Sequence, residues 1–235
     1  MRLCVESGVP GFDDLGYSDL GCGIPENTVT LIYGPPKTGK SIFSHQFAYH
    51  GLLNGESCLC ILTDYGINEL KQNMMGFGWF LETQIQNDMF YVIDAISRLT
   101  GDVFPDSNTY KLTSLNDPAD MMVKVGIGTR FVFKRSDDFR SVFDSLTTSL
   151  AFNPDKLVIR FYRAYMHRLK EARGTAIVNY TEGVASDVVE NAIKSVSDNI
   201  IRLDGEYLTI ERMGGLKNIK APYRITDKGV TVEKE

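Results

Sequence analysis

Cysteine, histidine and tryptophan are scarce in this chain. Its 235 residues hold four cysteines, three histidines and one tryptophan. Cys4, Cys22, Cys58 and Cys60 include no C-x-x-C pair and have no histidine cluster beside them. A zinc centre needs such ligands at close spacing, so the pattern argues against one. Cys58 and Cys60 stand two apart in a strand-like run and fit core packing. In a reducing compartment free thiols are expected. No stretch approaches the roughly 20 apolar residues of a membrane span, and MRLCVESGVPG does not have the form of a signal peptide. A cytoplasmic protein without a membrane partner is therefore expected. A basic excess is missing too: 25 Lys and Arg stand against 30 Asp and Glu, a net charge of −5. The surface as a whole is not built for a polyanion, although a local basic patch remains compatible with that balance. Internal repeats and low-complexity tracts are also absent, and nothing marks a second domain. One α/β domain over residues 1–235 is expected, with 43% hydrophobic residues to form its core.

Gly34-Pro35-Pro36-Lys37-Thr38-Gly39-Lys40-Ser41 fits G-x-x-x-x-G-K-[ST], the phosphate-binding P-loop. Thr28 to Tyr33 before it is a β-branched apolar run and predicts a buried strand. Ile42 to His50 after it holds no Gly or Pro and predicts a helix. That order suits the chemistry. Glycines let the backbone curl round an anion without a Cβ clash, and the helix N-terminus points its N–H groups at the phosphates. The candidate nucleotide-binding residues are Gly34, Pro35, Pro36, Lys37, Thr38, Gly39, Lys40, Ser41 and Ile42. Lys40 would reach the β- and γ-phosphates, and the Ser41 hydroxyl would ligate Mg²⁺.

Further strands are predicted over Ser57–Thr63, Met89–Ile93, Phe139–Ser145, Thr175–Tyr180, Asn199–Leu203 and Leu208–Arg212, with a hairpin over Pro222–Val232. Helices are predicted over Asn68–Met75, from Pro118 to about Ile127, Pro154–Glu171 and Val184–Ser195. Asn116-Asp117-Pro118 is a helix start, a cap followed by proline in the first turn. Arg98 to Leu115 is polar and long, and is expected as a mobile or substrate-facing excursion. Alternating strands and helices followed by short hairpin strands imply a mostly parallel sheet covered on both faces, with an antiparallel edge. The strand ending at Asp144 would put a carboxylate beside the P-loop from the neighbouring strand, where it can join Ser41 around Mg²⁺.

Together these residues resemble the KaiC-like branch of the RecA superfamily of ATPases. Gly8-Val9-Pro10-Gly11-Phe12-Asp13 with Gly21-Cys22-Gly23-Ile24-Pro25 is similar to that family's G-V-P-G-L-D…G-G-G-I-P opening. Phe77-Gly78-Trp79, Val142-Phe143-Asp144-Ser145, Asp198 to Leu203 and Ile225 to Val230 resemble its later motifs in the same order. The resemblance implies a RecA-like P-loop fold, ATP or ADP with Mg²⁺ as ligands, and a hexamer-like homo-oligomer.

Two positions depart from the family pattern. Where the family carries a Glu pair at the end of the second strand, this chain has Asp64-Tyr65. Asp64 is the surviving candidate base, one methylene shorter. Where the family tends to read K-x-R-G, this chain has Arg212-Met213-Gly214-Gly215. Arg212 is the one candidate cation left to act on a neighbouring subunit's nucleotide. The expected function is a nucleotide-dependent regulator or switch that binds ATP·Mg²⁺, hydrolyses it weakly and works with an unidentified protein partner. The alternatives are a DNA-acting recombinase-like ATPase and a non-hydrolysing assembly protein.

Other features carry plainer readings. Lys156, Arg160, Arg163, His167 and Lys170 recur at helical spacing. A solvated face or subunit contact fits them better than nucleic acid, given the acidic balance. Asn179 could sense a γ-phosphate or simply end a strand. For His45 and His50, packing or exposure is expected rather than catalysis. Phe77, Trp79 and Phe80 read as a packing cluster.

Overall fold

The computed structural model describes residues 4–15, 23–101 and 105–233. The Gly- and Pro-rich opening forms β1 (Cys4–Val5), a 3-10 turn (Asp13–Leu15) and β2 (Ile24–Pro25), with β1 and β2 paired antiparallel. β3 (Val29–Gly34) is buried at every position, as its β-branched run requires, and leads through the P-loop into α1 (Lys40–Leu53). β4 (Ser57–Leu62) is buried throughout, and α2 (Ile67–Met75) turns Ile67, Leu70 and Met74 inward. α3 (Glu82–Gln86) and β5 (Phe90–Asp94) follow.

The polar segment after β5 is more regular than its composition suggests. It contains α4 (Ser97–Thr100) and β6 (Tyr110–Leu112), and β6 pairs in parallel with β5. Buried Asp94 organises it, accepting from the Ser97 amide at 2.9 Å, the Ser97 hydroxyl at 2.7 Å and the Tyr110 phenol at 3.1 Å. A three-residue strand is too short to show a period, so only its partner reveals it. α5 (Pro118–Phe133) begins at the predicted cap, with the Asp117 carboxylate accepting from the Asp120 amide at 2.9 Å. It runs past Ile127 to Phe133, because Thr129 and Val132 continue its buried face.

β7 (Phe139–Asp144), α6 (Leu146–Phe152), α7 (Asp155–Glu171), β8 (Gly174–Thr181), α8 (Asp187–Val196) and β9 (Asn199–Leu203) complete the alternating part. β10 (Tyr207–Arg212), β11 (Ile219–Thr226) and β12 (Gly229–Val232) close the described chain. The ten-stranded sheet runs β12-β11-β10-β9-β3-β8-β7-β4-β5-β6. From β9 to β6 the pairs are parallel; from β9 to β12 they are antiparallel. One apolar layer joins Phe43 and Phe47 of α1 and Leu70 of α2 to the sheet. The other joins Val125, Tyr165 and Ile193 of α5, α7 and α8 to its opposite face. Each fully buried large apolar side chain contributes about 1.5–3 kcal/mol. The fold is the mostly parallel α/β sheet with helices on both faces and an antiparallel C-terminal edge.

Three further expectations are corrected by the structure. β7 is not the neighbour of β3, because β8 lies between them. Cys4 is disulfide-bonded rather than free, while Cys58 and Cys60 are free and buried. Phe80 is exposed, whereas Phe77 and Trp79 stack at 4.8 Å and Tyr49 continues the stack at 6.1 Å. The basic residues of α7 lie opposite its buried Val158, Tyr162, Tyr165 and Leu169. Two are already paired, His167 with Glu171 at 3.2 Å and Lys170 with Asp198 at 2.6 Å, which suits a solvated face. Among the described residues, no helix is long and apolar enough to cross a membrane.

Candidate functional site

The carboxyl ends of β3, β8, β7 and β4 meet at one cleft of about 430 Å³. In open parallel sheets ligands seat beyond these strand ends. Pro36 to Ile42, Asp64, Asp144, Ser145, Asn179, Thr181 and Ile225 line it. Gly34 and Pro35 stand behind the lining, and their carbonyls accept from Lys40 Nζ at 3.0 and 2.6 Å. Gly34 has φ +148°, and a Cβ there would sit 1.9 Å from the Leu203 carbonyl oxygen of β9. Only glycine fits where the P-loop leaves the sheet against an adjacent backbone. Burial lowers the Lys40 pKa, against the raising effect of Asp144, Glu182 and Asp64.

Asp144 is 1% exposed and heavily bonded. Its Oδ1 accepts from the Ser41 hydroxyl at 3.1 Å and from Asn179 Nδ2 at 2.9 Å. Its Oδ2 accepts from the Tyr65 phenol and lies 3.5 Å from His45 Nε2. Burial pushes the Asp144 pKa up, but the bonds from His45, Tyr65 and Asn179 outweigh it and hold the carboxyl below the usual range. Burial, then the Asp144 charge, drives the Tyr65 phenol well above its ordinary pKa, so it keeps the proton it donates. The intervening strand explains Asn179. It sits on β8 between the P-loop strand and the Asp144 strand, and its Oδ1 also accepts from Ser44 of α1 at 2.7 Å. Ser41 and Asp144 are hard oxygen donors side by side, a set that fits Mg²⁺.

Asp64 stands at the solvent-facing rim of the cleft. Its carboxylate accepts from the Thr148 hydroxyl, from Ser145 Oγ at 3.0 Å and from Thr63 Oγ1 at 3.2 Å. Desolvation by the surrounding side chains raises its pKa, helped by the charge of Asp144. The Asp144–Ser145 peptide that carries these groups is cis. Arg212 does not line the cleft. Its Nη2 donates to the carbonyls of Lys194 at 3.2 Å and Ser197 at 2.6 Å, at the end of α8.

His45, expected to pack or lie exposed rather than to catalyse, is buried beside the site and contacts both Tyr65 and Asp144. A signal was available. Ser41 and His45 are i and i+4 on α1 and share a helix face. No comparable signal pointed to the C-terminal hairpin. The Tyr223 phenol of β11 donates to the P-loop carbonyl of Thr38 at 2.6 Å and accepts from the Gly205 amide at 3.1 Å. Ile225 lies over Gly39. Gln46 of α1 ties the same hairpin down, donating to the Val230 carbonyl at 3.3 Å and accepting from the Val230 amide at 2.9 Å.

Residues 5–235 match the family model described as ATPase: KaiC. A UPF0273 protein of Aeropyrum pernix is 32% identical over 244 residues, covering 97% of this chain and 92% of that protein. The circadian clock oscillator protein KaiC of Parathermosynechococcus lividus is 24% identical over 243 residues, which span 97% of this chain and 42% of that protein. Among solved structures, a KaiC-like protein from Pyrococcus horikoshii superposes with a TM-score of 0.78, at 21% identity and with both chains covered in full.

Proposed function

The chain belongs to the KaiC family of ATPases, and from that premise we propose that it binds ATP·Mg²⁺ as a nucleotide-dependent regulator or switch with weak hydrolysis. One observation carries the reading. The Ser41 hydroxyl and the Asp144 carboxylate meet at 3.1 Å in a cleft whose wall also holds Lys40. In this reading Lys40 leaves the Gly34 and Pro35 carbonyls and pairs with the phosphates, while the loop from Gly34 to Ile42 wraps them. Ser41 and Asp144 hold Mg²⁺, which when bound offsets the charge of the phosphates. Residues 1–235 act as one ATP-binding domain.

Weak turnover follows from the rest of the cleft. Among the described residues Asp64 is the one carboxylate at the rim, and three hydroxyls already occupy it. A general base must reach the proton that it takes, and the neighbouring position offers Tyr65, a donor committed to Asp144. Arg212 is the candidate cation for a neighbouring subunit in a hexamer-like assembly, and would first have to release the Lys194 and Ser197 carbonyls. The nucleotide's effect would pass to the β11–β12 hairpin, because Tyr223 and Ile225 rest on the loop.

Titration calorimetry with ATP and Mg²⁺, together with a phosphate-release assay, tests this. Wild type is expected to bind ATP and to turn over far below the roughly 10 s⁻¹ median of enzymes. Lys40→Ala is expected to lose binding at least a hundredfold. Brisk turnover by the isolated protein, or ATP affinity unchanged in Lys40→Ala, would sink the reading. Light scattering with and without ATP·Mg²⁺ tests the assembly, and an unchanged monomer would refute it.

A further inference from the structure

We propose that Tyr65 and His45 form a positioning pair that fixes Asp144 for the metal. This rests on the ATP·Mg²⁺ reading above. The phenol carries a single hydrogen and directs it to Asp144 Oδ2. Its oxygen lies 2.9 Å from His45 Nε2, so the hydrogen of that contact belongs to the imidazole. His45 therefore bears its proton on Nε2 and donates to Tyr65, which donates to Asp144.

The geometry divides the carboxylate in two. Oδ2 is capped from the α2 side by Tyr65, with His45 behind it. Oδ1 faces Ser41 and Asn179. A buried carboxylate with one oxygen left without a donor bears the desolvation cost of that oxygen and is free to rotate about its χ2 torsion. With Oδ2 tied down, Oδ1 stays turned toward the Ser41 hydroxyl, the other hard oxygen of the proposed metal shell. Each member of the pair is itself held. His45 is 5% exposed on α1, and its ring meets Tyr65 edge-on at 6.1 Å. Tyr65 immediately precedes Gly66, the N-cap of α2, whose first amide, at Ile67, donates to buried Asp94 at 3.3 Å.

The test measures the gain in ATP affinity on adding Mg²⁺, as the ratio of dissociation constants in EDTA and in Mg²⁺. Tyr65→Phe keeps the ring and removes the donor. The gain is expected to fall about tenfold, the worth of one hydrogen bond to a charged group. His45→Leu should act in the same direction. His45→Gln, whose amide can donate in place of Nε2–H, should restore most of the gain; a merely structural role would give no such rescue. A full Mg²⁺ gain in Tyr65→Phe, or equal losses in His45→Leu and His45→Gln, would overturn the proposal and leave ATP binding intact. Wild type that gained nothing from Mg²⁺ would overturn the metal reading itself, and the positioning role with it.

Discussion

Gly51 lies in the last turns of α1, where helix propensity and packing make opposite predictions. Replacing a helical glycine by alanine ordinarily stabilises by about 0.8–1.0 kcal/mol. Here the new Cβ would stand 2.2 Å from Nε and 2.4 Å from Cδ of Arg140. That side chain cannot swing away freely. Arg140 is 1% exposed on β7 and holds Glu56 with two bonds, at 2.9 and 2.7 Å. Its Nη1 donates to the carbonyls of Glu6 and Phe47, each at 2.8 Å, and the guanidinium covers the Phe47 ring at 4.5 Å. Breaking a buried ion pair costs about 3–5 kcal/mol. Set against the propensity gain, Gly51→Ala should lose about 2–4 kcal/mol. At about 2–4 °C per kcal/mol for a chain of this size, Tm should fall by about 4–16 °C. Urea unfolding gives the free energy and scanning calorimetry the Tm. In an Arg140→Val background, which has no Cδ or Nε to meet, the same substitution should become neutral or stabilising. The two effects should therefore be far from additive. A Tm that rises in Gly51→Ala alone would refute the reasoning.

Two further outcomes are expected. Lengthening the rim carboxylate in Asp64→Glu should raise phosphate release at least tenfold if reach limits the base. Equal rates in wild type, Asp64→Glu and Asp64→Asn would show that position 64 takes no part. Burial acts to raise the Asp120 pKa, but the Lys124 ammonium at 2.5 Å and the Thr113 hydroxyl at 2.7 Å more than offset it and lower it from 3.8. The ionised carboxylate therefore stabilises the fold above pH 3.8, and that contribution fades as pH falls through the lower folded value. The pair is partly exposed, so wild type should exceed Asp120→Asn by only about 0.5 kcal/mol near pH 6. The gap in urea midpoint should narrow as pH falls below 3.8, and a gap that did not change with pH would contradict this sign.

Local chemistry made much of this protein legible before folding was considered. The P-loop, the strand that ends in Asp144, the Asp117 helix cap and the last hairpin each lie within a few consecutive residues. Their signals are short-range: β-branching, capping and glycine at positive φ. Strand order was not legible. It depends on which runs share a sheet edge, and that placed β8 and Asn179 between the P-loop and Asp144. β6 was hidden for the same reason, since three residues carry no period without β5 beside them.

The candidate site divides along the same line. Sequence alone marked its candidate phosphate-binding loop, the candidate metal oxygens Ser41 and Asp144, and the departure from the family pattern at Asp64-Tyr65. Tertiary structure alone decided what surrounds them. It brought Tyr65 onto an Asp144 carboxylate oxygen across 79 residues of chain, and it laid Tyr223 against Thr38 across 185. Such contacts leave no periodic trace, because a hydrogen bond between distant segments constrains one residue in each and nothing in between.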